Sequence, residues 1–227
     1  MKATHEHEWE AAPGLPSALP PGEHVVWQGA PDWRSLAVHA FHVRKIAMYF
    51  VFMLALQTIN LTAPDSGAGW KPLDDVTWKP LLVAASLYAL ALGLLLGTAW
   101  LSASSTLYTL TNKRVVMRIG IVLTLTFNLP YKRIAGASLK AYAQGMGDIA
   151  LALYPEDRIG WAHLWPHQRA WHITHPQPTL RCLPACEQVA QQLLTLCRTE
   201  RAGDSLHLGE VPATSATPTH SSHGILA

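Results

Sequence analysis

Charge is what this sequence has least of. Asp, Glu, Lys and Arg make up only 14% of its 227 residues, well below the roughly 25% of an average soluble domain. The apolar share of 49% is ordinary, so the shortage must be concentrated in particular segments. A basic excess is missing too: 17 basic residues against 15 acidic leave a net charge of +2. That balance excludes a dedicated nucleic-acid binder, which gathers positive charge on one face. Three cysteines cannot make a disulfide framework. The 16 Pro and 15 Gly follow no collagen-like period and dominate no stretch of the chain. No Ser/His/Asp, Cys/His or paired-carboxylate set stands out, and an enzyme is not expected.

The missing charges are found along the chain. Residues 46–63 carry none, and neither do residues 80–101. At 1.5 Å per helical residue, 18 residues just cross a hydrocarbon core of roughly 30 Å and 22 cross it with ease. Both stretches are therefore expected to be transmembrane helices. Trp70, Trp78 and Trp100 sit where interfacial aromatic belts form. Arg34, Arg44 and Lys45 precede the first span and Lys113, Arg114 and Arg118 follow the second, whereas the connecting loop holds Lys71 and Lys79. Basic residues stay on the cytoplasmic side, so both termini are expected there. The first apolar run begins too late for a secretory signal peptide, and cytoplasmic Cys182, Cys186 and Cys197 are expected as thiols.

After the second span the period changes from helix to strand. Residues 106–110, 114–119, 121–129, 134–142, 148–154 and 161–165 read as short strands separated by turns. Pro184 suits the first turn of a helix, and Val189, Ala190, Leu193, Leu194 and Cys197 form its apolar stripe. From Thr199 the chain has little to bury and reads as disordered. The expected fold is an α+β membrane protein: a transmembrane hairpin, then an antiparallel β domain capped by a C-terminal helix. Its parts are a cytoplasmic segment 1–38, a hairpin 39–103 with an external loop 64–79, a β domain 104–198 and a tail 199–227.

That β domain resembles the pleckstrin-homology (PH) architecture. Tyr108, Leu110, Thr111, Asn112 and Arg114, followed by Gly120, look like the Y-x-L-T-N-x-R opening of bacterial membrane-attached PH domains. Gly147-Asp148-Ile149 resembles their central turn and strand. The N-terminal pattern Gly14-Leu15-Pro16, Leu19-Pro20, Gly22-Glu23, Trp27-Gln28-Gly29 and Pro31-Asp32-Trp33 is more particular, together with His42 to Lys45 and Leu164 to His167. It is similar to the photosynthetic-complex assembly proteins of phototrophic bacteria. The resemblance implies a non-enzymatic factor of the inner, intracytoplasmic membrane that helps assemble the reaction centre with its core antenna. Its implied partners are their membrane subunits. A membrane-anchored PH protein that binds lipid headgroups or senses envelope state is the alternative.

The residue-level candidates follow. Ala85, Ala89, Gly93 and Gly97 recur every four residues, a small-residue face that admits close approach of another helix. The contact is either with the first span or with a partner, a second copy included. Arg44, Lys45, Lys113, Arg114 and Arg118 are candidates for anionic headgroups of the bilayer, besides their role in topology. Neither span contains His, which argues against a stoichiometric pigment-binding subunit, although His39 and His42 at the membrane edge leave room for a transient bacteriochlorophyll contact. No metal or resident cofactor is expected: His163 with His167, and His172 with His175, lack nearby carboxylates or spaced cysteines. Cys182 and Cys186 read as packing residues, and Gly145-Met146-Gly147 as a turn.

Overall fold

The computed structural model describes residues 14–208 except 16, 64–77, 122, 155, 157 and 158, with side chains to residue 202. The expected external loop therefore lies almost wholly outside the described residues, as do Trp70, Lys71 and the chain beyond 208. The two apolar runs are helices long and apolar enough to cross a membrane: α2, Val43–Thr62, and α3, Lys79–Ser105. Pro80 sits in the first turn of α3, where no N–H is needed. The pair packs through stacked Phe50 and Tyr88 rings, 4.4 Å apart. Around the contact the hairpin is greasy on its outside, with Met48, Val51, Leu82 and Leu94 all well exposed. Such a surface is stable against lipid chains rather than water.

Among the described residues the β domain has seven antiparallel strands in two sheets, ordered β1-β2-β3-β4 and β5-β6-β7. The strands are β1 Val25–Gly29, β2 Leu107–Thr111, β3 Arg114–Ile119, β4 Leu125–Pro130, β5 Ile134–Ala141, β6 Gly147–Leu153 and β7 Thr179–Leu183. Between the sheets lie Tyr108, Leu110, Met117, Ile149, Leu151 and Leu180. A C-terminal helix, α5 (Cys186–Leu208), lays Cys186, Val189 and Leu193 on this core. Each large side chain so buried contributes on the order of 2 kcal/mol. This is the PH-like layout expected from the sequence.

Its details differ from the expectation in five places. First, the N-terminal segment does not stand apart: β1 is an edge strand of the first sheet, pairing Gly29 with Tyr108 and Gln28 with Thr109, with Trp27 packed on the core. The apolar hairpin is thus inserted between the first two strands of the domain. A short helix α1, Trp33–His39, follows β1, capped by Asp32, whose Oδ2 accepts the Ser35 N–H at 2.7 Å. It packs against α3 and β7. Second, residues 161–165 are not a strand. Trp161–Leu164 form one helical turn, α4, that buries Leu164 and leaves the tryptophans on either side exposed. Third, β4 begins at Leu125 rather than 121, because Gly120, at φ +124°, turns the chain away from β3. Fourth, β7 completes the second sheet from a sequence with no alternation to announce it. Fifth, α5 opens two residues after Pro184 and runs to Leu208, past the expected start of the tail, and Leu194 in the predicted stripe stays half exposed.

Candidate functional site

The features that bear on function gather where the apolar hairpin meets the PH-like domain. A single residue, Thr106, joins α3 to β2, and the joint is fixed by a buried polar knot. At its centre His167 is fully buried. Tyr108 Oη lies 2.6 Å from His167 Nδ1, while Thr106 Oγ1 and Ser102 Oγ lie 3.0 and 3.3 Å from Nε2. The proton positions follow from the neighbours. Thr106 Oγ1 donates to the Ser102 carbonyl at 2.7 Å, so it accepts from Nε2–H. The Tyr108 hydroxyl receives the Arg181 N–H at 3.3 Å, so it donates to Nδ1. The imidazole is held neutral in that tautomer.

Burial, with the positive charge of Arg181 adding to it, lowers the His167 pKa from 6.5 to about 3. Burial likewise raises that of the Tyr108 phenol. A serine beside a histidine invites a nucleophile-and-base reading. Ser102, Thr106, Tyr108 and His167 are all buried, however, and no substrate atom can reach them. The knot is a rigid joint.

At the other end of β2 the motif residues close a clamp. Arg114 Nε and Nη2 donate to the two oxygens of Glu23 at 2.8 and 3.1 Å, and Thr111 Oγ1 donates to the same carboxylate at 2.8 Å. Asn112 takes the His24 N–H at 3.0 Å and gives Nδ2–H to the Gly22 carbonyl at 2.8 Å. The two patterns read separately in the sequence, Thr-Asn-x-Arg and Gly-Glu, are therefore halves of one contact that ties β1 to the β2–β3 hairpin. The bidentate pairing commits Arg114 to Glu23, whose side chain is only 3% exposed. Arg114 is thus not available to headgroups. The hairpin also sets Lys113 at the end of β2 remote from α3, whereas Arg118, opposite Leu107, lies at the near end.

The Gly-Asp-Ile motif holds the second sheet in register. A Cβ on Gly147 would lie 2.5 Å from Cys186 Sγ and 2.7 Å from the Lys140 carbonyl, so only glycine fits under α5. Asp148 accepts from the Cys182 N–H at 2.8 Å and from the Tyr142 hydroxyl at 2.6 Å. Burial pushes the Cys182 thiol up to about 12, so it is an inert packing group. His39 and His42 do not share one helical face. His39 ends α1, and His42, at φ 54°, breaks the chain before α2. Both nevertheless line one cleft with Lys45. Arg44 is exposed at the start of α2.

Three of the four small residues on the candidate face of α3, Ala89, Gly93 and Gly97, have open space beside them, whereas Ala85 is half-buried. A Cβ at Gly93 or Gly97 would meet nothing within 4 Å, and Ala89 is exposed, whereas Tyr88, about 100° round the helix from Ala89, carries the contact with the first apolar helix. Sequence reasoning missed the knot and its histidine. The signal was faint: Ser102 and Thr106, one turn apart at the end of an apolar helix, are polar groups that need a buried partner.

Compared with known families, the chain matches the Bacterial PH domain model over residues 53–196. It is 38% identical over 190 residues, 83% of this chain and 86% of the relative, to a Rhodobacter capsulatus protein described as an uncharacterized 23.7 kDa protein in the puhA 5' region. No solved structure matches the chain significantly.

Proposed function

The chain belongs to the bacterial PH-domain family, and from that premise we propose that it is a non-enzymatic, membrane-anchored assembly factor for the bacterial photosynthetic reaction centre and its core antenna. One observation carries the reading: the relative is encoded beside puhA, a reaction-centre gene. The N-terminal pattern of residues 14–33, which resembles the PuhB type of assembly protein, agrees with it. In this reading the hairpin lies in the inner, intracytoplasmic membrane with both termini cytoplasmic. The open face of Ala89, Gly93 and Gly97 docks on a helix of a nascent subunit. The His167 knot passes the position of α3 rigidly to the PH-like domain, so that docking within the bilayer also places a cytoplasmic surface.

The experiment is deletion of the gene in a phototroph, with membrane absorbance of reaction-centre and core-antenna complexes as the readout. Both should fall while transcripts of their subunits persist. Normal complex levels in the deletion strain would end the proposal.

A further inference from the structure

We propose that the cleft between the α1–α2 junction and the second sheet binds the phosphate of an anionic phospholipid from the leaflet in which α2 begins. The cleft has a volume of about 680 Å³. Four cations line it: Lys45 from α2, Lys140 from β5, Arg169 from the loop before β7, and Arg181 from β7 itself. Three imidazoles, His39, His42 and His172, add neutral or cationic donors. The one carboxylate among its described lining residues, Asp148, is already engaged by the Cys182 N–H and the Tyr142 hydroxyl. So many cations facing one space repel each other unless an anion joins them.

Arg181 is the most deeply set of the four cations. Its Nη2 donates to the Gln168 carbonyl at 2.7 Å, yet its Nε is buried with no hydrogen-bond partner among the described residues. That Nε is shut off from the cleft beside Gln168, whose Oε1 is likewise buried without a partner among the described residues, so what Arg181 offers an anion is the charge of its guanidinium.

Position decides for a lipid over a soluble phosphate. His42 caps the start of α2 and Lys45 lies in its first turn, so the cleft lies at the level where headgroups begin. Its rim carries Trp171, 95% exposed, with Ile173, 66% exposed, two residues on. Apolar side chains held so far into solvent beside a helix of membrane-spanning length suit the bilayer interface. Lys140 sits 5.3 Å over the Tyr142 ring, exposed and poised at the mouth. The inference rests on membrane anchoring of the chain, not on the assembly role.

The test uses the full chain in neutral detergent micelles doped with phosphatidylglycerol, phosphatidylcholine or inorganic phosphate, with retained adducts measured by native mass spectrometry. Wild type should retain phosphatidylglycerol in preference to phosphatidylcholine, and inorganic phosphate at equal concentration should not displace it. Lys140→Gln with Arg169→Gln should weaken retention about 30-fold, as two interfacial charges predict. Both side chains are exposed, and Arg169 gives up only exposed hydrogen bonds to Ser138 and Gln177, so the thermal midpoint should fall by no more than a few degrees. Lys113→Gln, at the remote hairpin tip, should change nothing. Equal retention by the double variant, or of the two lipids, would overturn the proposal. Displacement by inorganic phosphate would assign the cleft to a soluble anion instead. A double variant that kept its lipid but lost a co-purifying protein would assign the cleft to an acidic partner surface, and the lipid site would fall.

Discussion

Acidification should destabilise the PH-like domain through His167 in particular. The imidazole is buried and neutral, with a pKa of about 3 in the fold against 6.5 for an unperturbed histidine. The sign follows from linkage: a depressed folded value means that the unfolded chain binds the proton more readily. The stability is complete above pH 6.5 and drains away as pH falls toward 3. Each unit in that window removes about 1.4 kcal/mol, so going from pH 7 to pH 5 removes about 2 kcal/mol. For a domain of this size that is a fall in Tm of roughly 8–16 °C.

The assay is near-UV circular dichroism of the full chain in neutral detergent, heated at both pH values, for wild type and His167→Gln. The variant starts less stable at pH 7, because the Tyr108 hydroxyl and Thr106 lose their imidazole partner. It cannot titrate, however, and the other histidines contribute alike to both proteins. The wild type should therefore lose roughly 8–16 °C more than the variant between pH 7 and pH 5. Equal losses would refute the buried neutral histidine and with it the knot.

Three further outcomes are expected. Leu193→Asp places a carboxylate on the fully buried face of α5 and should cost several kcal/mol, comparable with the stability of a whole domain; an unchanged melting curve would show that α5 does not cover the core. Gly93→Ile with Gly97→Ile adds bulk to open space, so the protein should accumulate to wild-type levels while photosynthetic complexes decline on membrane absorbance. Loss of the protein itself on an immunoblot would mean that this face packs internally. A topology reporter fused near Gly67 should read external and one after Gly203 cytoplasmic, and reversed signals would place the PH-like domain on the other side.

How much of this was legible in the sequence depended on whether a residue's partner is near it in the chain. The two long apolar helices were plain because a charge-free run needs no partner to be recognised. The strands 114–119 and 148–153 were plain because short apolar, β-rich runs bounded by turn residues are a local signal. β1 was not, since Val25–Gly29 becomes a strand only by pairing with β2 beyond both spans. Trp161–Leu164 carried a strand-like composition but had no neighbouring strand to pair with, and the burial of Leu164 settled it as a helical turn. The basic residues were read as topology signals from their positions along the chain, so Lys45 was found. Lys140, Arg169 and Arg181 were missed, because only the folded sheet brings them to the same cleft.

The insertion of the hairpin between β1 and β2 makes the fold an arithmetic check on membrane insertion. In the proposed topology β1 precedes two crossings and β2 follows them, so the strands can meet only when an even number of crossings has been completed. A chain with one span left out would strand Val25–Gly29 across the bilayer from Tyr108, with Glu23 parted from Arg114 and the edge of β2 bare. Correct threading through the membrane and closure of the first sheet are therefore one event, and a misthreaded chain advertises its error as an unpaired strand.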